Sequence, residues 1–254
     1  MKTLKKIGRA LLVAAFWLGV WALAAHKFGK PLLFPSPLAV LKTLGTLLGT
    51  KEFYIATATS LANILLGTLS AILAACILVA ITAKLRFVRE LIYPVMAVVK
   101  ATPVASFIIL MLLFLGPVKV PSFITFLIVL PIVWTNLDEG IKNIDPQLRE
   151  VTKMYQFSLA KRLRVLIFPS LKPYFLSACK AAIGLAWKAG VAAEIIAMPP
   201  STIGTMIGEA KLYIMSAEMF AWTLTVVLLS LVIEFGVSYL FTKLDAKTRA
   251  KEVA

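Results

Sequence analysis

Apolar residues along this chain fall in long runs, not in the alternating pattern of strands or the narrow stripe of a surface helix. Windows of about 20 apolar residues suffice to cross a hydrocarbon core of roughly 30 Å. They predict about six spans, near residues 10–27, 55–83, 91–115, 121–135, 173–198 and 220–242, the fourth being short. Each is expected to be helical, because a backbone in lipid has to satisfy its own hydrogen bonds and no barrel-like alternation is present. The pattern therefore predicts an all-α fold: one polytopic membrane helix bundle, a single domain over residues 1–254. Pro94 and Pro103 in the third span and Pro131 in the fourth predict kinks or breaks.

Composition removes the soluble alternatives. Hydrophobic residues make up 60% of the chain, charged ones 15%, and the mean hydropathy is +0.91; soluble domains carry about 25% charge. The net charge of +15 is spread over short segments that flank the apolar runs, so it reads as membrane orientation and not as nucleic-acid binding. Lys2, Lys5, Lys6 and Arg9, then Lys84, Arg86 and Arg89, then the basic residues from Lys142 to Lys172, then Lys243, Lys247, Arg249 and Lys251 fall on one side if the spans alternate. The other side carries Lys27, Lys30, Lys42, Lys51, Lys119 and Lys211, which predicts cytoplasmic termini. The basic start and apolar run over residues 1–25 have the look of a signal peptide. The run is long for one and lacks a clear cleavage signal, so it is expected to be a retained first span. Cys76 and Cys179 lie inside apolar stretches and are expected to be small buried hydrophobes.

Local signals add detail. Leu33-Phe34-Pro35-Ser36-Pro37 stiffens the first outer loop and places Ser36 or Pro37 to open a helix through Leu48. Pro199-Pro200-Ser201-Thr202-Ile203-Gly204 predicts an outer turn. Between the fourth and fifth spans lies a long charged segment, Asp138 to Lys172. Asp145 with Pro146 can open one helix; Ser158 can cap a second that ends before Pro169, the two being joined near Gln156 and Phe157. This predicts a cytoplasmic hairpin at about residues 137–172.

Within the spans, Lys100, Lys180, Lys188 and Glu194 are costly, at about 2.5–3.5 kcal/mol for a central charge. Lys180 is expected to snorkel. Lys100, Lys188 and Glu194 are candidates for a translocation path that takes an anionic or polar heteroaromatic solute, with pairing or a structural role as the alternatives. Gly184 and Gly190, with Ala181, Ala182, Ala189, Ala192 and Ala193, form a small-residue face suited to a bundle or dimer interface. Trp21, Trp134 and Trp222 are expected to be interfacial anchors.

Residues Glu150, Val151, Thr152, Gln156, Leu166, Phe168 and Pro169 resemble the cytoplasmic motif of binding-protein-dependent permeases, in which Glu-Ala-Ala and a later Gly precede Ile-x-Leu-Pro. Glu and Pro match, whereas Gln156 stands where the family has glycine. Pro35-Ser36-Pro37 with Val40, Thr102-Pro103 ahead of an apolar run ending at Gly116, Asp145-Pro146, and Trp187 with Val191-Ala192-Ala193-Glu194 are similar to the nitrate, sulfonate and taurine branch. The similarity extends over about residues 34–242.

This resemblance implies the type I fold of an ABC importer in a bacterial cytoplasmic membrane, with this permease paired with a second copy as a homodimer. It further implies two separate ABC ATPases that hold ATP and Mg, an extracellular solute-binding protein, and no cofactor on this chain. Glu150 would position the docking helix, Val151 and Pro169 belong to the motif, and Thr152, Tyr155, Gln156 and Leu159 would lie near the ATPase. No phosphate-binding glycine loop is present, so this chain is not expected to be an enzyme. A secondary transporter or channel is the alternative; it would ordinarily show an internal repeat or several membrane carboxylates, whereas this chain offers chiefly Glu194 and Glu234. An intramembrane enzyme would need paired acids or a histidine partnership that the single His26 does not supply.

Overall fold

The computed structural model describes the backbone of residues 2–252 and the side chains of residues 8, 9 and 12–243. The side chains of Lys2, Lys5, Lys6, Lys247, Arg249 and Lys251, on which part of the charge argument rests, lie outside the described residues.

The described chain is helical with no strand. α1 (Lys2–Phe28) is followed by the short α2 (Pro37–Leu48) and the long α3 (Lys51–Thr82). As the sequence predicts, Ser36 caps α2 by accepting from the Ala39 N–H at 3.3 Å, with Pro37 at the first helical position. Thr50 caps α3 in the same way through the Phe53 N–H. α4 (Arg86–Ala101) and α5 (Val104–Leu115) together make the third predicted span, bent by 105° at their junction. Pro103 has no N–H to continue the helix and holds Thr102 extended, at φ −80° and ψ 132°. The Thr102 hydroxyl and N–H both donate to the Val98 carbonyl, so one carbonyl at the break is satisfied locally. Pro94 and Pro131 lie inside helices without ending them.

α6 (Val120–Lys142) runs beyond the predicted fourth span into the segment read as charged loop. It can do so because Asp138, its buried carboxylate, is paired with cations. After α7 (Pro146–Met154) and the short α8 (Leu159–Arg162), the chain does not stop before Pro169 as predicted. It passes through a π-turn, Leu163–Ile167, directly into α9 (Phe168–Ala197). The wider turn accommodates a proline that cannot donate to the preceding helix. α10 (Ile203–Leu212) and α11 (Ser216–Glu252) complete the chain. Among the described residues, four continuous helices are long and apolar enough to cross a membrane: α3, α6, 159–197 and the 216–243 part of α11. The bent α4–α5 pair, taken together as one span, makes a fifth. The described apolar part of α1, Leu12–Phe28, reaches about 25 Å at 1.5 Å per residue.

The core lies where α3, α6 and α9 meet. A Cβ on Gly67 would stand 2.2 Å from the Ser122 carbonyl oxygen, and one on Gly190 would stand 2.5 Å from Ile64 Cγ1. Ala71, Ala75, Ala178, Ala182, Ala186 and Ala193 are buried around these approaches. The small-residue face of the fifth span is therefore spent largely within the chain's own bundle. Trp134 and Trp222 are core residues, not the expected interfacial anchors: α6 extends two further turns past Trp134, and Trp222 stacks on Phe53 with ring centroids 5.2 Å apart. Trp21 is half-buried and donates to the Pro35 carbonyl at 3.1 Å. Cys179 is buried as expected, but Cys76 is exposed, because α3 is apolar all round and its outward face gives no polar signal.

Because Gly67 meets backbone, Gly67→Ala is expected to destabilise the detergent-solubilised protein by about 1–3 kcal/mol. Gly45→Ala, where a Cβ meets nothing within 4 Å, serves as the neutral comparison in the same thermal-unfolding assay.

Candidate coupling hairpin and translocation surface

The hairpin is built on caps at both ends of α7. Asp145 accepts from the Gln147 N–H at 2.8 Å, the N-cap that the sequence predicts. At the other end Gln156 has φ +49°, the left-handed conformation that the family's glycine would take easily. Its N–H donates to Lys153 O and the Phe157 N–H to Thr152 O, both at 3.0 Å, which is a Schellman closure. The turn is therefore retained despite the substitution, and these two bonds help offset a strain of about 1–2 kcal/mol. Ser158 then caps α8 through the Lys161 N–H, and the Lys161 ammonium stands 4.1 Å over the Phe157 ring.

Glu150, Val151, Tyr155, Gln156 and Leu159 are all exposed on this hairpin, whereas Thr152 is buried and donates to Arg149 O at 2.8 Å. Pro169 is exposed at the start of α9, beyond the π-turn and apart from the joint. The sequence reading missed Leu148 and Met154, which extend the exposed apolar surface; Met154 is 78% and Tyr155 71% exposed. It also missed Arg149, whose guanidinium donates to the Ile141 carbonyl near the end of α6 and so fastens α7 there. Beside that contact Asp138, buried to 5% exposure, lies 2.7 Å from Arg89 Nη2 and 3.0 Å from Lys142 Nζ. The i,i+4 spacing of Asp138 and Lys142 was a usable signal; Arg89, on another helix, offered none.

The three candidate path residues are not brought together. Glu194 is fully buried, so it lines no open surface of the chain. Its Oε2 accepts from Ser60 Oγ at 2.7 Å and from the Gly204 N–H at 3.2 Å, while Ser60 Oγ accepts from the Ile203 N–H at 2.9 Å. A carboxylate on α9 and a hydroxyl on α3 thus cap the N-terminus of α10, where the helix dipole favours negative charge. The 198–219 stretch, expected as an outer loop, consequently folds back onto α9, with Met198 and Ser201 at φ +50° and +56°. Lys100, near the 105° break, and Lys188, on the outward face of α9, are both exposed in the single chain. A cavity of about 940 Å³, lined by His26, Pro35, Tyr213 and Glu218 among others, includes none of the three.

Residues 64–250 match the family model described as the binding-protein-dependent transport system inner membrane component. The chain belongs to this family. Among the permease's relatives is the taurine transport system permease protein of Escherichia coli (strain K12), 25% identical over 94% of this chain and 87% of the relative. The nitrate import permease protein of Synechocystis sp. is 26% identical over 75% of this chain and 72% of its own length. A bicarbonate transport system permease protein from the same organism is 31% identical over a shorter stretch, 45% of this chain and 42% of the relative. The permease is thus the translocating, non-enzymatic subunit of an ABC importer of the nitrate, sulfonate and taurine branch, an inner-membrane protein that works with a separate ATPase and a solute-binding protein.

In the permease, Ser60→Ala removes both the donor to Glu194 and the acceptor of the Ile203 N–H. Leaving the Ile203 N–H without this partner and Glu194 without its hydroxyl donor is expected to cost about 1–3 kcal/mol, read as a lowered unfolding midpoint in detergent; Thr59→Ala, at a half-buried hydroxyl that bonds only back to Ile55 O of its own helix, should change the midpoint far less.

Proposed function

We propose that the permease acts as a homodimer and moves a small solute bearing an oxyanion group along a path between the two copies. Its hairpin docks in a groove on an ATPase that holds ATP and Mg, one ATPase to each copy, and both termini lie in the cytoplasm. The observation that carries the docking reading is the exposed apolar cluster Val151, Met154, Tyr155 and Leu159, held rigid by the Arg149 contact and the left-handed turn at Gln156. An exposed apolar patch rimmed by charge is the usual mark of a protein contact, and a rigid helix can pass a rigid-body movement to the bundle.

The path reading is supported by the outward placement of Lys100 and Lys188, which the chain itself leaves uncovered. α4 and α5 bury only Met96 and Ile108 among their described residues, so they leave a broad face for a second copy. Taurine, nitrate and bicarbonate, named for the relatives, share an anionic oxygen group. Lysines along the path would attract such a group.

Glu150→Lys is expected to uncouple the reconstituted transporter: ATP hydrolysis persists while uptake falls by about tenfold, equivalent to about 1.4 kcal/mol of coupling. Gln156→Gly is expected to leave uptake unchanged. Uptake and hydrolysis both at wild-type levels in Glu150→Lys would argue against docking through this helix. For the path, uptake of labelled taurine, nitrate and bicarbonate is compared in wild type and in Lys100→Ala with Lys188→Ala. Loss of the transported anion's uptake is expected, and unchanged uptake would remove the lysines from the path.

A further inference from the structure

The broken span has two anchors at its two ends. On α5, Ile108 is buried against Val120 and Ile124 of α6 and against Ala189, Ala193 and Ala197 of α9. On α4, Met96 is the one buried residue among those described; Ile92 is half-buried against the same core, and most of the rest of the helix is exposed. The polar anchor of α4 is Arg89, whose guanidinium reaches the buried Asp138 carboxylate of α6 at 2.7 Å. The other ion pair on α4, Arg86 with Glu90, is within the helix and exposed, so it fixes nothing to the bundle.

Asp138 also sits one turn from the Ile141 carbonyl that receives Arg149 of the hairpin. A continuous set of contacts therefore runs from α7 through Arg149 to the end of α6, from Asp138 to Arg89, and along α4 to the break at Thr102 and Pro103. We infer that the Arg89–Asp138 ion pair carries movement of the hairpin into α4, so that the break beside Lys100 opens and closes with the ATPase cycle. The pair suits this role because separating it leaves a carboxylate that is largely out of water with the half-exposed Lys142 of its own helix as its remaining described counter-ion; it stays closed and drags α4 with α6. Ile108 holds the far half of the span, so displacement at Arg89 is taken up at the intervening break. Arg89 and Asp138 are positioning residues for transport and touch neither ATP nor solute.

The inference rests on the docking reading above, and its test separates the two. In a Cys76→Ala, Cys179→Ala background, a single cysteine replaces the exposed Ala101 in the complete transporter, permease with ATPase, in proteoliposomes. Its labelling by a membrane-impermeant maleimide is timed without nucleotide and with ATP, Mg and vanadate. ATP is expected to change the rate by about tenfold in the otherwise unaltered permease, and by less than about twofold after Asp138→Asn or Arg89→Gln. Arg89→Lys, which keeps the charge, should retain the change. Copurification and hydrolysis by the ATPase are measured on every variant. A full ATP-dependent change in both Asp138→Asn and Arg89→Gln, with ATPase bound, overturns the inference and leaves docking intact. Failure of the ATPase to copurify with the unaltered permease overturns docking, and this inference with it.

Discussion

Close approach of α3, α6 and α9 is the constraint on which the rest of the permease depends. Lipid tails are as apolar as the side chains, so helices in a bilayer gain little from hiding apolar surface from one another. They associate through dense packing and interhelical hydrogen bonds. Gly67 and Gly190 let backbone meet backbone or side chain at distances that no Cβ would tolerate, and Ser122 Oγ donates across the same seam to Asn63 O at 2.9 Å. Once α9 is fixed in this seam, α10 has a surface to fold onto, α5 has a cluster to enter, and the hairpin has a base.

Polar groups within the bundle follow the same economy. Among the described residues, each buried carboxylate is tied to a neighbouring helix: Asp138 joins α6 to α4, and Glu194 joins α9 to α3 and α10. Exposed pairs such as Arg86 with Glu90 contribute about 0–1 kcal/mol. Removing one partner of a buried ion pair costs about 3–5 kcal/mol, and leaving a buried hydrogen-bonding group unpaired costs about 1–3 kcal/mol, so these two acids weigh more in the relative placement of helices than the many surface lysines. Their location is informative: one lies beside the hairpin and the other beneath the turn after α9.

Much of the architecture was legible because apolar run length and capping residues act locally. Ser36 with Pro37, Asp145 with Pro146, and Ser158 all cap as their sequence neighbourhoods predict. What was hidden depends on partners distant in the chain. Asp138 looked like the first residue of a loop because Arg89, 49 residues earlier, is what permits it inside a helix. Glu194 looked like a path residue because Ser60 and Gly204 are far from it in sequence. Trp134 and Trp222 looked like interfacial anchors because their positions were judged from span ends that the tertiary fold moves. The placement of the hairpin candidates was the most readable, since Glu150 and Leu159 sit on short helices, with Tyr155 just past the end of the first, and those ends are set by nearby residues.

The π-turn at Leu163–Ile167 has a consequence for direction. A helix turns about 100° for each residue, and a single π-turn admits roughly one residue more than an α-turn would. Leu159 and the other exposed groups of α8 therefore point about 100° away from where an uninterrupted α-helix would aim them relative to the buried face of α9. Pro169 thereby sets the azimuth of the hairpin: the same side chains on a regular helix would face another quarter of the compass, whatever groove awaited them.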